Sequence, residues 1–337
     1  MISSPHQLDV FITVDTEVWP RHPDWRETGL ARDIERDILG ITPEGDFGVP
    51  YQMRVLNEHG LKAAFFVESL CASAAGPAPL RGIVELIQAQ GQEVQLHAHS
   101  EWLAWMNDSV PPGRTGLPGR TGQSLKDFSL DEQAMLIGRA ADNLRSCGAH
   151  NVCAFRAGNY GANFDTLRAL ARHGIAMDTS YNAYYLDSQC GLRMPELLLQ
   201  PRLIEGVWEF PISGFQDWPG HYRHAQLCAC TAGEMEQALL SAWRAGWRSF
   251  VIVSHGFELI RRRKQIALPP LPDHFVRRRF ERLCRFLAEH RDKFRTRHFT
   301  EVDPQSLAAT GTGPEPLRSG MHRTAHRFVE QLVRRMV

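Results

Sequence analysis

The chain has 337 residues, and its 38 Lys plus Arg balance 38 Asp plus Glu, so no global charge argues for nucleic acid as a partner. The composition is that of an ordinary globular protein, long enough for one large domain or two small ones, and no run reaches the ~20 apolar residues of a membrane span. Seven cysteines without zinc-finger spacing, behind an N-terminus with no basic and no apolar signal region, lead to the expectation of free thiols in a cytoplasmic protein.

Residues 11–17, FITVDTE, read as a strand. Side chains alternate across it, so Val10, Ile12 and Val14 form an apolar face, while Thr13, Asp15 and Glu17 share the other. Two carboxylates that close repel unless a cation or a shared proton lies between them. Residues 18–50 are polar and contain Pro and Trp, which predicts a long loop at the same end as Asp15. A short helix over 51–59 is stopped by Gly60. An apolar strand over 61–67 is closed by Glu68, a helix over 79–90 ends at Gly91, and a third strand covers 93–99. The Gly-, Pro- and Arg-rich stretch 107–124 reads as a loop.

Ser129 and Glu132 have the form of a capping box that opens a helix to about Arg145. A strand over 151–155 runs into Arg156, and a helix over 164–173 ends at Gly174. Residues 175–180 and 207–211 read as strands, and Cys228 and Cys230 as plain strand residues. A helix over 232–245 precedes the apolar strand 250–255, which has the composition of a strand buried on both faces. Residues 275–290 read as a basic amphipathic helix, 304–316 as a linker, and 326–337 as a second basic amphipathic helix. These helices are expected to pack outside the core with a solvated face. The alternative is peripheral contact with anionic lipid head groups or a lipid-linked substrate.

Alternating strands and helices predict an α/β fold with a mostly parallel sheet, open or closed into a barrel. Several predicted strands end in a polar group: Asp15 and Glu17, Glu68, His97 and His99, Arg156, and His255. In α/β barrels the chemistry sits at the strand C-terminal ends. Catalytic zinc sites take three His and Asp/Glu ligands and leave a position for water. Glu17, His97 and His99, or Glu101, could form such a set. Asp15 would then be a spare carboxylate suited to a general base, and His255 could protonate a leaving amine. Two histidines and a carboxylate also suit non-haem iron, and the divalent ion could be zinc, iron, cobalt or nickel.

The ordered segments TVDTE (13–17), AFFV (64–67), HAHSE (97–101), FRAGNY (155–160), DTS (178–180) and SH (254–255) resemble the polysaccharide deacetylase, or NodB-homology, family of carbohydrate esterases. The resemblance spans residues 7–299 and is closest to deacetylase-like proteins of lipopolysaccharide and surface-glycan biosynthesis. It leaves 300–337 as a linker and a basic helix. It implies a distorted (β/α) barrel with fewer than eight strands, a C-terminal helical extension, a divalent metal, most often zinc, and hydrolysis of an N-acetyl group. Asp15 takes the place of the catalytic base, Glu17 of the metal carboxylate, His97 of the first metal histidine, Arg156 of the arginine that orients the base, and His255 of the catalytic acid. Asp178 matches the carboxylate that would hold the His255 imidazolium. The backbone near Tyr160 would help to form an oxyanion site, and Gly158, Tyr160 and, as a nearby aromatic surface, Trp102 are the expected substrate-binding positions.

The sequence departs from the family twice. Its first motif spaces Asp15 and Glu17 by two, and Glu101 stands where the second metal histidine belongs. Strand alternation aims His99 with His97 and makes it the preferred third ligand, with Glu101 as the alternative. The expected substrate is a nucleotide- or lipid-linked amino sugar, with Trp19, Trp25, Trp102 and Trp105 as candidate stacking surfaces. The rival readings are an inactive glycan-binding relative and an amidase acting on a non-sugar linear or ring amide.

Overall fold

The computed structural model describes residues 6–106, 124–186, 188–266, 268–307 and 315–336. The predicted loop over 107–124 therefore lies outside the described residues except for Ser124.

Strand β1 (Leu8–Thr16) is buried along its whole length. It is followed by α1 (Val49–Glu58), β2 (Ala63–Glu68), α2 (Pro77–Gln88) and β3 (Glu93–Ala98). Next come α3 (Leu130–Ser146), β4 (Ala154–Ala157), α4 (Phe164–Arg172) and β5 (Met177–Asp178). The second half holds β6 (Arg202–Ile204), β7 (Val207–Glu209), β8 (Gly214–Trp218), β9 (His221–His224), α5 (Ala232–Arg244) and β10 (Ser249–His255). The chain ends with α6 (His274–Glu289), β11 (Phe294–Thr296), β12 (Leu317–Arg318) and α7 (Met321–Met336).

The main sheet runs β10-β1-β2-β3-β4-β5-β7-β6, and β11 also pairs with β1. From β10 to β7 every pairing is parallel, and only the β6 edge is antiparallel. The seven parallel strands curl toward closure. The segment after β7 returns to β10 through the Ile212–Val251 bridge, and the turn after β9 adds the Gln226–Val253 bridge. This is the distorted (β/α) barrel that the sequence implies; β11, also parallel to β1, and the β6 edge bring the sheet to nine strands.

The alternation along β1 sorts two cores. Val10, Ile12 and Val14 face the helices in the larger apolar layer. Phe11 points inward to a smaller cluster with Phe66, Phe210, Val251 and Phe299. Phe299 packs on Phe11, Phe66 and Phe210 at 4.7–5.6 Å between ring centres. Together with Val302 and Leu307 it fills the barrel interior from the chain's last third. The polar groups at the strand ends lie along the same sheet edge because all these strands run in one direction.

Three local expectations change. Residues 18–50 are more ordered than a loop. They hold a helical stretch of π-type turns (Trp25–Gly29, Glu35–Leu39) around a short α-helix, Leu30–Ile34, followed by a two-residue hairpin, Ile41–Thr42 with Gly45–Asp46. Its buried anchors are Asp33 and Asp37, paired with Arg36, His22 and Arg262. Leu30, Ile34 and Ile38 pack on the core while the buried ion pairs hold the polar side, and the π-type turns depart from the regular 3.6-residue period. Cys228 and Cys230 sit in the turn after β9 rather than in a strand, and all seven cysteines are free. The last helix begins at Met321, five residues before its predicted start. Among the described residues no helix is long and apolar enough to cross a membrane.

Candidate active site

Parallel pairing sets the site. Asp15 is in register with His255 on one side and Phe66 on the other, and His97 is in register with Glu68 and Arg156. Asp15, Glu17, His97, His99, Tyr160 and His255 therefore line one cavity of about 190 Å³, joined by Tyr185, Gln189 and Gln226.

Glu17, His97 and His99 each offer a ligand atom, and these atoms lie within 4.8 Å of one another. The His97 Nδ1 is 2.8 Å from the Arg156 carbonyl oxygen. A carbonyl only accepts, so Nδ1–H donates and Nε2 keeps its lone pair for a ligand. Burial, against the pull of Asp15, holds this imidazole down at about 4, in the neutral form a metal takes. His99 places Nε2 2.9 Å from Glu17 and Nδ1 3.4 Å from Glu101. Burial opposes its charge, but Glu17 and Glu101 raise its pKa well above the usual histidine value. Burial likewise works against an ionised Glu17, yet His99, His255 and His97 hold that carboxyl below the usual range. The donor set fits a divalent cation. Glu101 lies behind it, bound to His99 and to the Asn159 amide at 2.6 Å, so the third donor of the cluster is His99.

The fit of His99 depends on two neighbours. Its backbone N–H donates to Glu68 at 2.5 Å. Burial raises the Glu68 carboxyl to about 8, and it also accepts the Leu70 N–H. Gly158 leaves room for the imidazole, because a Cβ there would meet the ring at 2.5 Å. Gly158 thus gives the His99 ring the space it occupies. Trp102 is displaced from its expected role. It is fully buried and packs against Trp19, Trp25 and Trp105. Its indole Nε1–H is buried and has no partner among the described residues. Trp19 is the member that reaches the donors, with Nε1–H on Glu17 at 2.9 Å and its ring edge-on to His99 at 4.8 Å.

Asp15 stands beside the donor set. Arg156, fully buried, donates Nη1–H to Asp15 Oδ1 at 2.5 Å and Nη2–H to the Thr13 hydroxyl at 2.8 Å. Its Nε–H meets the Thr179 carbonyl, and its plane covers Phe66. One Asp15 oxygen is therefore fixed, while Oδ2 faces His255 Nε2 at 3.9 Å. His255 Nε2 is also 3.8 Å from Glu17.

The carboxylate that holds His255 is Glu258, not Asp178. Glu258 Oε1 lies 2.9 Å from His255 Nδ1. Burial would lower this imidazole, but Glu258, followed by Asp15 and Glu17, raises it to about 9. Asp178 bonds to Ser180 instead and shares a buried acid pair with Glu209. Burial raises both carboxyls, and Glu209 the more because the Asp178 charge is beside it. The His-x-x-Glu spacing was present in the sequence as the signal for Glu258. Tyr185, Gln189 and Gln226 come from irregular segments and had no such signal. Tyr160 lies in left-handed backbone, φ 57°, after Asn159 at φ 54°. Its buried hydroxyl has no partner among the described residues, and its ring stacks on Tyr185.

No family model and no curated protein matches the sequence. Among solved structures, the chain is similar to a protein assigned as a polysaccharide deacetylase from Mycobacterium smegmatis. Identity is 17%, the TM-score is 0.52, and the match covers 93% of this chain and 97% of that one. It is also similar to the 4-alpha-glucanotransferase of Thermococcus litoralis, at 11% identity and a TM-score of 0.50, with 91% of this chain on 39% of that one. A family 4 carbohydrate esterase from Streptomyces lividans aligns at 14% identity and a TM-score of 0.41, over 92% and 98% of the two chains. At these identities the first two likenesses establish the fold alone, a distorted (β/α) barrel.

Proposed function

We propose that the protein is a metal-dependent amide hydrolase that removes an N-acetyl or N-formyl group from an amino sugar. The observation that supports this reading is one cavity in which a Glu-His-His donor set lies between a restrained carboxylate, Asp15, and a histidine backed by its own carboxylate, His255. Glu17, His97 and His99 would hold a divalent cation, zinc first and iron, cobalt or nickel as alternatives, which supplies Lewis-acid polarisation of the amide carbonyl and a more acidic attacking water. Asp15, with Oδ1 tied to Arg156, accepts the water's proton on Oδ2. The Tyr160 backbone N–H and hydroxyl offer donors to the developing oxyanion. His255 gives its Nε2 proton to the departing amine, and Glu258 stabilises the imidazolium before transfer.

The expected outcome is that Asp15→Asn and His255→Ala each lower kcat by ~10²-fold or more, while Asp15→Asn still binds one metal ion per chain. The assay is amine release from a panel of N-acetyl and N-formyl amino sugars, free, nucleotide-linked and lipid-linked. Full activity in Asp15→Asn removes the base from that residue. A purified protein that neither carries nor takes up metal supports the glycan-binding reading instead.

A further inference from the structure

Helix α7 presents its residues in the reverse of the usual surface order. Its charged side chains face the protein. Arg327, 1% exposed, bonds to Asp217 on β8 and to Glu234 on α5, each at 2.6 Å. Arg334 pairs with Asp273, Glu330 with Arg279, and Arg323 with the Gly233 carbonyl. Its apolar side chains face out. Met321, Phe328 and Leu332 are 62%, 59% and 59% exposed, and their spacing places them on one stripe. Val329 and Val333 continue that stripe into a groove against α6, whose wall includes Arg278, Arg282 and His326.

The surroundings of the stripe are basic. Residues 274–290 and 315–337 each contain five arginines against two glutamates; Arg277, Arg279, Arg282, Arg327 and Arg334 are paired with acids, while Arg278 on the groove wall is exposed and has no acid partner among the described residues. A second copy seated on this face through a two-fold axis would set one basic rim against another, which like charges disfavour. A bilayer with anionic head groups meets both features. The apolar stripe can enter the boundary between head groups and acyl chains, and the arginines can meet phosphates. We propose that the outward stripe of α7, with the arginines of α6 beside it, is a docking face for an anionic lipid surface. The face is tied to the cavity rim: Asp217, which holds Arg327, also holds His221, and the His221 ring packs on Tyr184 next to Tyr185.

The test uses the full chain with phosphatidylcholine vesicles, with and without phosphatidylglycerol, read by co-sedimentation. The protein is expected to sediment with the anionic vesicles, to remain in solution with phosphatidylcholine alone, and to be released by salt. The double variant Phe328→Glu/Leu332→Glu, or Phe328→Ser/Leu332→Ser if the first unfolds, is expected to lower the partition at least about tenfold at an unchanged melting temperature. Arg278→Glu is expected to weaken binding and flatten its salt dependence. The proposal is overturned if the protein ignores anionic vesicles at low salt, or if the double variant sediments like the parent. A solution dimer that Phe328→Glu disperses, without vesicle binding, also overturns it and assigns the stripe to a second copy. No readout involves hydrolysis, so failure here leaves the chemical reading of the cavity untouched.

Discussion

In the proposed mechanism His255 is the acid, and a neighbour three residues on, Glu258, favours its protonated form. Burial alone would strip its proton, yet the nearby carboxylates raise it to about 9, with Glu258 the largest of them. An acid catalyst is active while protonated, so the rate falls as pH rises through its pKa. Glu258→Gln keeps a hydrogen-bonding shape without the charge, and the alkaline limb of kcat/KM is expected to move to lower pH. A limb that stays in place shows that Glu258 does not tune His255. Gly158 is a second single-atom constraint. In Gly158→Ala the new methyl must displace the His99 ring, so metal affinity is expected to fall about 10–100-fold, the usual cost of disturbing a ligand's support. Calorimetric titration with zinc measures it. At this scale the donors were legible because strand alternation fixed which side chains share a face. Asp178 was misplaced because chain order cannot say which acid reaches a given imidazole, and Trp102 because a tryptophan near a site reads the same whether it lies over the cavity or under it.

The C-terminal helix shows how one element is held by charge. Arg327 neutralises two carboxylates that are otherwise buried. Removing it leaves the buried Glu234 without its cation and takes from Asp217 one of three basic partners, the others being Arg223 and His221, so Arg327→Ala is expected to destabilise by about 3–5 kcal/mol, read by urea denaturation. Asp217 gives the pH dependence. Burial opposes its charge, but Arg223, His221 and Arg327 lower its carboxyl from 3.8 to about 2. A depressed carboxyl stabilises fully above its unfolded value and loses that contribution as pH falls through the folded one. Helix α7 should therefore loosen between about pH 4 and 2, and pepsin should cut it there before it cuts the barrel. Element types were readable wherever a 2- or 3.6-residue period carried burial. They were harder to read at residues 18–50, where buried Asp33 and Asp37 interrupt the apolar stripe of Leu30, Ile34 and Ile38 and π-type turns flank the short helix, and at the start of α7, where the buried side is the charged one.

Across the whole molecule, the cavity joins strands far apart in sequence. A cation gripped by Glu17, His97 and His99 would bind only the folded chain. At a hundred times its dissociation constant it should add about 2.7 kcal/mol of stability. The melting temperature should rise with added zinc and stay flat in His99→Ala. The alternation of strands and helices pointed to a barrel, but not to its closure, because the Ile212 and Gln226 bridges lie in segments without any period. The pairing of β1 with β10 also has a consequence for biosynthesis. Strand β1 leaves the ribosome before every other described strand of the sheet, yet its Asp9 pairs with Ser249. At ~5–20 residues per second, it waits roughly 10 to 50 s for that neighbour. During this interval an apolar strand stands without its final partner, so the nascent chain is a client for holding chaperones. Release of a chain truncated before β10 should yield insoluble material rather than a smaller working enzyme.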